Sequence, residues 1–444
     1  MEIRNLPKDP GPAGWNAILP PEPPRQPLEG PVTADWLVIG AGFAGLAAAR
    51  RLRQRAPGSR VVVLDATRVA HGTAGRNSGF MIDLPHDLQS ADYGGSLEAD
   101  RRRTAMSRAA IDFAAEAARE YGLGDEAFSR SGKINAAATD KGLQHNAGYA
   151  HHLTAMGEPH EMLDAAAMKA LTGIDYYRGG LFTPGAAMIQ PAMFVRGVAR
   201  GLAAGGTVIC EDSPVVGLDR GPGGWTARTP KGSVAAPKVV LAVNGHAESF
   251  GFFRRRLVHV FAYASMTREL MPAEVSALGG RPAWACTPAD PMGTTVRRIA
   301  GTGGHRIVIR NRFTYDPSMQ VPETRIPAVA RDHDRAFRAR FPKLAGVGIE
   351  YCWGGRLCLS LNGVPAFGEV AEGLFAACCC NGLGTTRGTL AGMLSADLAA
   401  GARSELLDQM LAEAPPARLP PEPIAWLGAT ARIRWAELRA GREL

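Results

Sequence analysis

The chain has 444 residues, of which 46% are hydrophobic and 21% charged; this balance is typical of globular proteins, and the length predicts two domains. The composition excludes intrinsic disorder as the main state, and the lack of any run of about 18 apolar residues excludes a membrane-embedded protein. The net charge of +8 comes mostly from Arg, since only seven of the 50 basic residues are Lys. This bias indicates a GC-rich coding sequence rather than a surface that binds nucleic acid.

The cysteines and the N-terminus favour a reduced, cytoplasmic protein. Seven Cys is an odd number, which argues against a disulfide framework, and the N-terminal stretch MEIRNLPKDPGPAGW has no signal-peptide core. The ten His show no metal-ligand spacing, so no metal site is predicted.

The first 65 residues predict an arm followed by a nucleotide-binding unit. Residues 1–32 are Pro-rich and predict an extended arm without helix or strand. An apolar strand at 35–39 runs into the sequence GAGFAG, a helix follows at 46–52, and a second strand at 60–64 ends at Asp65.

Each part of this unit has a physical role in binding a dinucleotide. Gly40 permits the tight turn, Gly42 lets the backbone approach a pyrophosphate, and Gly45 lets the helix pack on the strand. The helix N-terminus offers N–H groups to the phosphates, and Asp65 is placed to accept the ribose hydroxyls. The carboxylate disfavours NADP, but the unit alone leaves NAD and FAD open.

Two later segments favour FAD. Residues 67–80 form a small, polar, Gly-rich loop that is suited to wrap a cofactor. More than 300 residues after the first unit, a strand at 373–379 feeds the glycines of 380–386, and a helix begins there. The N-terminus of that helix is suited to stabilise the negative charge of a reduced flavin. Two such units at opposite ends of the chain fit the long FAD molecule better than NAD.

Ordered motifs along most of the chain resemble one family. The stretches are 38–46, 73–80, 185–191, 240–245, 353–355 with 362–368, and 381–384. The chain resembles the D-amino-acid-oxidase-type (glycine/sarcosine oxidase) superfamily of FAD-dependent oxidoreductases, and within it the gamma-glutamylputrescine-oxidase-like branch.

The resemblance implies an α/β protein in which a Rossmann-type FAD-binding domain is interleaved with an α+β substrate domain built on a mixed or antiparallel sheet. The FAD-binding domain would comprise residues 33–95, 187–253 and 350–405, and the substrate domain residues 96–186 and 254–349. Residues 406–444 form a C-terminal extension, which we expect to pack on the FAD-binding domain or to form a dimer contact.

The resemblance also implies which residues bind FAD. They are Gly40, Gly42, Gly45, Asp65, Thr73, Ala74, Gly75, Arg76, Asn77, Ser78, Gly79, Val215, Asn244, Gly382, Leu383, Gly384, Thr385 and Thr386. Some relatives attach FAD through a Cys, but the aligned position here is Gly355, so non-covalent FAD is predicted.

The implied reaction is oxidation of a C–N single bond by hydride transfer to flavin N5, which gives an imine that hydrolyses to an aldehyde and an amine. Amino-acid-oxidising relatives carry a basic residue where Thr386 stands, so a primary or secondary amine is the expected substrate, with Arg387 expected to face solvent or phosphate. The candidates for substrate contact are Phe80, Met81, Tyr263 and Arg312, and Arg312 is the candidate for an anionic group distal to the amine.

The electron acceptor stays open. Sarcosine-oxidase-like relatives use a Lys near the flavin for O2, and the corresponding strand 306–312 has none, so O2 with peroxide as product and a dehydrogenase with another acceptor are both considered. A tRNA-modifying flavoprotein and a protein that keeps FAD structurally are the alternatives. The expected partners are a small amine and an electron acceptor, without nucleic acid or membrane, in a monomer or homodimer.

Overall fold

The computed structural model describes residues 1–85 and 94–444. The helices in these ranges are α1 Gly14–Ala17, α2 Phe43–Arg55, α3 Leu97–Glu120, α4 Asp140–Met156, α5 Ala165–Thr172, α6 Pro191–Ala204, α7 Pro272–Leu278, α8 Ile326–Arg340, α9 Gly384–Ala399, α10 Glu405–Leu411 and α11 Ile424–Ala440.

The strands in the same ranges form four sheets. They are β1 Gly30–Thr33, β2 Trp36–Ile39, β3 Val61–Leu64, β4 Phe80–Met81, β5 Phe128–Ser129, β6 Lys133–Ala137, β7 Glu161–Asp164, β8 Gly179–Thr183, β9 Ala187–Ile189, β10 Val208–Cys210, β11 Gly217–Gly221, β12 Gly224–Arg228, β13 Gly232–Ala236, β14 Lys238–Leu241, β15 Val258–Thr267, β16 Trp284–Pro288, β17 Thr295–Ile299, β18 Arg306–Tyr315, β19 Ile349–Leu359, β20 Ala366–Ala371 and β21 Leu374–Cys378.

A six-stranded sheet carries both predicted strand–glycine–helix units. Its order is β10-β3-β2-β14-β21-β20, and only the edge pair β20–β21 is antiparallel. The central strands are continuous apolar runs, because a parallel sheet is covered on both faces. The unit β2–α2–β3 therefore forms where the sequence predicted it, and β21–α9 places the second glycine sequence beside it.

An eight-stranded sheet, ordered β19-β15-β18-β17-β16-β6-β8-β7, forms the second body of the fold. It is antiparallel except for the parallel pair β16–β6. Strand β19 belongs to this sheet and pairs with β15 along almost its whole length. The boundary expected at residue 350 therefore differs from the structure, because cross-strand pairing extends the sheet to Leu359. The expected range 33–95 also includes residues 86–93, which lie outside the described residues.

The two smaller sheets are ordered β1-β13-β12-β11 and β4-β9-β5. In the described ranges, no helix is both long and apolar enough to cross a membrane.

The N-terminal arm differs from the extended linker that its prolines predicted. It contains α1 and β1, and β1 pairs with β13. Trp15 is completely buried in the main core cluster. Burial of this indole offsets the entropy lost on ordering the arm, so the segment folds onto the rest of the chain.

The C-terminal extension divides between the two large sheets. Helix α10 packs against α9 through Leu407 and Met410. Helix α11 lies against β18 of the eight-stranded sheet, so the extension contacts both large sheets, and the expected dimer contact stays a prediction.

Candidate functional site

The first glycine turn has the close contacts that its sequence predicted. Gly40 adopts a left-handed φ of +104°, and a Cβ on Gly45 would lie 1.7 Å from the carbonyl oxygen of Gly40. At Gly42, by contrast, an added Cβ would meet nothing nearer than Ala74 Cβ at 3.5 Å. Gly42 is also the N-cap of α2, and it provides no side-chain cap. The turn thus leaves room in front of a helix N-terminus, where a phosphate binds favourably.

Hydrogen bonds to the N-terminal arm and to the Gly354 carbonyl hold the loop 73–79 in place. Arg76 Nη1 donates to the carbonyl oxygens of Pro10 (3.1 Å), Gly11 (2.9 Å) and Gly354 (3.2 Å). Trp15 Nε1 donates to the carbonyl oxygen of Asn77 at 2.9 Å. The loop conformation is therefore fixed by segments that are distant in the sequence.

The second glycine turn follows β21 and leads into α9. Cys379, Asn381 and Gly382 all adopt left-handed φ values, of 56°, 50° and 79°. The Asn381 side chain holds this turn, because Oδ1 accepts from Ser360 N at 2.8 Å and Nδ2 donates to the Val364 carbonyl at 2.9 Å. Strained turns of this kind occur at ligand sites, and this one presents the uncapped N-terminus of α9.

These three segments meet at one cavity of about 1300 Å³, larger than the range of about 300–1000 Å³ that is usual for a small-molecule site. The predicted cofactor residues that line it are Gly42, Thr73, Ala74, Arg76, Asn77, Ser78, Gly79, Asn244, Gly382, Leu383, Gly384 and Thr385. The cavity continues beyond them to β15 and β18 of the eight-stranded sheet and to α11.

The family of the chain is shown by its match to a family model. Residues 35–398 match the model described as "DAO: FAD dependent oxidoreductase". The chain belongs to this family.

Individual relatives agree with this assignment. The chain is 26% identical to a probable oxidoreductase OrdL of Haemophilus influenzae, over 83% of each chain. It is also 26% identical to gamma-glutamylputrescine oxidoreductase of Escherichia coli, over 85% of this chain and 86% of the relative. In structure it resembles glycine oxidase from Geobacillus kaustophilus with a TM-score of 0.69 and 20% identity, covering 84% of this chain and 96% of the other. That likeness shows the fold, and the family shows FAD as the cofactor.

The residues of this FAD-dependent oxidoreductase fit FAD on geometric grounds. The N-termini of α2 and α9 have no side-chain caps, and both border the same cavity. The two helices pack closely, since a Cβ on Gly392, in the middle of α9, would lie 1.9 Å from the Ala44 carbonyl oxygen in the first turn of α2. One turn leaves open space at Gly42, and the other borders the same cavity. Paired helix ends of this kind suit a ligand with a pyrophosphate at one position and an electron-rich ring edge at another.

Six predicted cofactor residues do not line the cavity: Gly40, Gly45, Asp65, Gly75, Val215 and Thr386. Gly75 supports the loop through close packing, because an added Cβ would lie 1.8 Å from the Ala70 carbonyl oxygen. Thr386 is completely buried in the first turn of α9, and its hydroxyl has no hydrogen-bond partner among the described residues.

Asp65 lies directly after β3, where an adenosine ribose is expected. Its Oδ2 accepts from Ala41 N at 2.8 Å and its Oδ1 from Thr67 N at 2.9 Å. Burial raises the pKa of Asp65, and these hydrogen bonds oppose the rise. Val215 is buried in a cluster with Leu28 of the arm, so the arm also covers this predicted adenine-side residue.

Of the four predicted substrate contacts, only Phe80 lines the cavity. Strand β4 alternates, so Phe80 faces the cavity while Met81 is fully buried in the core cluster. Tyr263 lies on the face of β15 opposite the cavity-lining residues Ala262 and Ala264, and its hydroxyl is hydrogen-bonded to Thr314 Oγ1 at 2.8 Å.

Arg312 is directed away from the cavity by a β-bulge. Ala262 pairs with Phe313 and Tyr263 with Asn311, so Arg312 is the extra residue, and its φ is +60°. Its guanidinium is paired with Asp332 (2.9 Å) and Glu437 (3.3 Å). The bulge changes the alternation along β18, so that Arg310 and Phe313 line the cavity instead. The sequence alone gave no sign of this bulge.

Arg387 and helix α11 also contribute to the cavity wall. Arg387, which was expected to face solvent or phosphate, lines the cavity, and burial lowers the pKa of this residue; the expected contact with phosphate stays a prediction. Helix α11 lines the cavity with residues that recur every three or four positions and therefore share one helix face.

Proposed function

We propose that this oxidoreductase oxidises the C–N single bond of a primary or secondary amine, with O2 as the electron acceptor. The observation that carries the proposal is the composition of this cavity. One side consists of the predicted FAD loops, and the facing strand β15 contributes Val258, Val260, Ala262 and Ala264. FAD, when bound, supplies a hydride acceptor for the substrate carbon that bears the nitrogen.

The apolar strand wall has a direct chemical role in this proposal. Hydride leaves the carbon of an amine only when the nitrogen lone pair is free, so the site must favour the neutral amine. An apolar wall disfavours the ammonium form by desolvation. Phe80 presents its ring at the same cavity and helps to exclude water from the reacting carbon. Orientation and exclusion of water are therefore the tasks of the protein residues.

The proposal requires no nucleophile or metal from the protein. In the described part of the chain, no group of three or more His, Cys, Asp or Glu residues is arranged to hold a metal ion. The relative from Escherichia coli bears the name gamma-glutamylputrescine oxidoreductase, which supports an amine as the class of substrate.

We further infer that FAD is bound non-covalently, as the glycine at position 355 suggests. Gly355 lines the cavity, and the nearest atom to an added Cβ there is Arg76 Cβ at 3.3 Å. Acid precipitation should leave the yellow colour in the supernatant; colour retained in the pellet would contradict this inference.

A panel of amines tests the function in two stages. Anaerobic mixing should bleach the flavin absorption if the amine is oxidised, and admission of air should then restore the colour and release peroxide. A dehydrogenase with another acceptor is the second candidate, favoured by the absence of Lys from residues 306–312. It would bleach with the amine but reoxidise slowly in air. No bleaching by any amine would contradict both.

A further inference from the structure

Helix α11 is fixed to the eight-stranded sheet through the face that carries Glu437. This residue is buried, and its Oε1 accepts from Phe313 N at 3.3 Å. Its Oε2 is paired with Arg312 Nη1 at 3.3 Å and with Arg434 Nη1 at 2.9 Å. Ala440, three residues later on the same side of the helix, is also buried. These contacts set the rotation of α11 about its axis, so the residues of the opposite face are turned away from the sheet.

The face of α11 opposite Glu437 carries an apolar stripe that the described part of the chain leaves exposed. Its members recur every three or four positions and are Ile424 (61% exposed), Leu427 (58%), Ala431, Trp435 (58%) and Leu438 (82%). Single exposed apolar residues are usual on a protein surface, but five in one row form a contiguous patch. Patches of this kind mark surfaces that bind another protein or a membrane.

Arginines border the apolar stripe on both sides. Arg432 and Arg439 lie along one side of it, and Arg434 lies along the other. Arg439 is placed over the Trp435 ring, 4.6 Å from its centroid, and Arg432 forms no ion pair with any residue in the described ranges. The one carboxylate in the sequence of α11 is the buried Glu437, so the charged groups that this helix exposes are all cations.

A second group of arginines lies against the segment that precedes α11. The Arg255 carbonyl oxygen accepts from Leu419 N at 2.7 Å, and Arg255 Nη2 donates to the Leu419 carbonyl oxygen at 3.3 Å. Arg254 and Arg255 are exposed, as is Arg418 in the segment itself. Among the residues that the structure describes, none of these three arginines forms an ion pair. They therefore add positive charge close to the start of α11.

The carboxylates of this region do not cancel its positive charge. Residues 414–444 contain five Arg and three Glu. Two of the three, Glu437 and Glu443, are buried, and the third, Glu422, accepts from the Tyr315 hydroxyl at 2.7 Å. The surface around the stripe is therefore positively charged, as is the whole chain with its net charge of +8.

A second copy of this chain fits the stripe poorly. Stable protein interfaces use about 20–30 residues on each side, whereas the stripe has five. A two-fold pairing would also bring the arginines of one α11 against those of the other, with no exposed carboxylate on the helix to separate them. An apolar row between cations matches a surface that is both apolar and anionic.

We propose that the apolar stripe of α11 and the arginines around it dock on a membrane surface that contains anionic lipids. The Leu, Ile and Trp side chains would enter the boundary between headgroups and acyl chains, and the guanidinium groups would contact the headgroups. Ile424 and Trp435 also line the cavity, so the docked surface includes part of the cavity rim. The proposal goes beyond the proposed reaction, and it adds a membrane surface to the partners expected from the sequence, which included none.

Co-sedimentation of the holoenzyme with vesicles tests the proposal without turnover. We expect binding to vesicles of phosphatidylglycerol and phosphatidylcholine in equal parts, and weaker binding to phosphatidylcholine alone. The double variant Leu427→Glu/Leu438→Glu should bind about tenfold more weakly or less. Both positions lie outside the cavity wall, so its circular dichroism and flavin absorption should match the wild type. Met162→Glu/Met271→Glu, at two exposed apolar positions on β7 and before α7, is the matched control and should bind normally.

A second pair of variants tests the charge. Arg254→Gln/Arg418→Gln should weaken binding to the mixed vesicles about tenfold and change binding to phosphatidylcholine little, and added salt should act in the same way. Lys231→Gln/Arg281→Gln, two exposed cations in other loops, is the control and should change neither.

The proposal would be overturned by three results. They are no binding to either kind of vesicle, equal binding of the wild type and the leucine variant, and mixed-vesicle binding that the arginine variant leaves unchanged. A dimer in light scattering that the leucine variant separates would also overturn it, because the stripe would then bind a second copy. Flavin bleaching by amines is a separate measurement, so failure of the proposed reaction would leave the vesicle result unchanged.

Discussion

The guanidinium of Arg297 lies over the indole of Trp15, 4.9 Å from the ring centroid. Its Nη1 donates to the carbonyl oxygens of Ser78 (2.7 Å) and Ile189 (2.9 Å). Burial lowers the pKa of Arg297, and these carbonyls and the aromatic ring stabilise the buried cation. The pair connects the N-terminal arm to the FAD loop 73–79, although β17, the arm and the loop are far apart in the sequence.

Trp15→Ala should therefore weaken both the fold and the retention of FAD. Removal of a fully buried indole is expected to cost about 3–5 kcal/mol of unfolding free energy. The loop would also lose the hydrogen bond to Asn77, so the Kd for FAD should rise in titrations of the apoprotein. Trp426→Ala, which removes an indole that is 44% exposed, should change neither quantity. Equal FAD affinity in the Trp15 variant and the wild type would refute the role of the arm.

Two glycines of the first turn should respond differently to the same substitution. Gly45→Ala should prevent folding, since its Cβ would lie 1.7 Å from the Gly40 carbonyl oxygen. Gly42→Ala should fold, because its Cβ would meet only Ala74 at 3.5 Å, but it should lose FAD affinity by filling the space before α2. Circular dichroism and FAD titration distinguish the two, with Gly346→Ala as a neutral control in open space. A Gly42 variant that binds FAD normally would argue against a phosphate at that position.

The burial of Lys133 is expected to make the stability of the protein depend on pH. It is 2% exposed in β6 and donates to Asn135 Oδ1, and burial lowers its pKa to about 8. In the unfolded chain the pKa is about 10.4, so between these values the unfolded state binds more protons at this site and its contribution to stability rises with pH. Below pH 8 the buried Lys133 ammonium lowers the free energy of unfolding by its full amount, at most about 3 kcal/mol.

Lys133→Met should therefore stabilise the protein at pH 7, and the gain should shrink as the pH rises from about 8 to about 10. Chemical denaturation across this range measures the effect. Lys231→Met, at an exposed position, should show no such trend. A gain that does not depend on pH would mean that packing, not the charge, is responsible.

Glu437→Gln should loosen α11 without unfolding the rest of the chain. The amide would keep an acceptor for Phe313 N but lose the charge of the pairs with Arg312 and Arg434, which leaves weaker hydrogen bonds, at a cost of about 1–3 kcal/mol. Limited trypsin digestion should cleave within α11 faster than in the wild type. Glu405→Gln, at an exposed position in α10, is the control. Unchanged cleavage would show that the helix is held by its other contacts.

Local sequence patterns predicted the elements of the fold that depend on residues close together in the sequence. The units β2–α2–β3 and β21–α9 formed as expected, since a strand, a glycine turn and a helix are specified within about 25 residues of sequence. The apolar residues of α3, Leu97–Glu120, recur with helical spacing, so this helix too is specified by its own sequence. The family resemblance, which the comparisons confirm, rests on these same segments.

The part of the cavity wall formed by β18 and α11 depends on tertiary contacts that cannot be predicted from local sequence patterns. A single extra residue in β18 turns Arg312 away from the cavity and leaves Arg310 on its wall. The cavity position of α11 depends on buried carboxylates that contact residues more than 100 positions away in the chain. The sequence by itself determined the family, the cofactor and the glycine turns, because those are short-range constraints on the backbone. Only the tertiary structure decided which cations line the cavity, because strand register and helix docking are set by long-range packing and pairing.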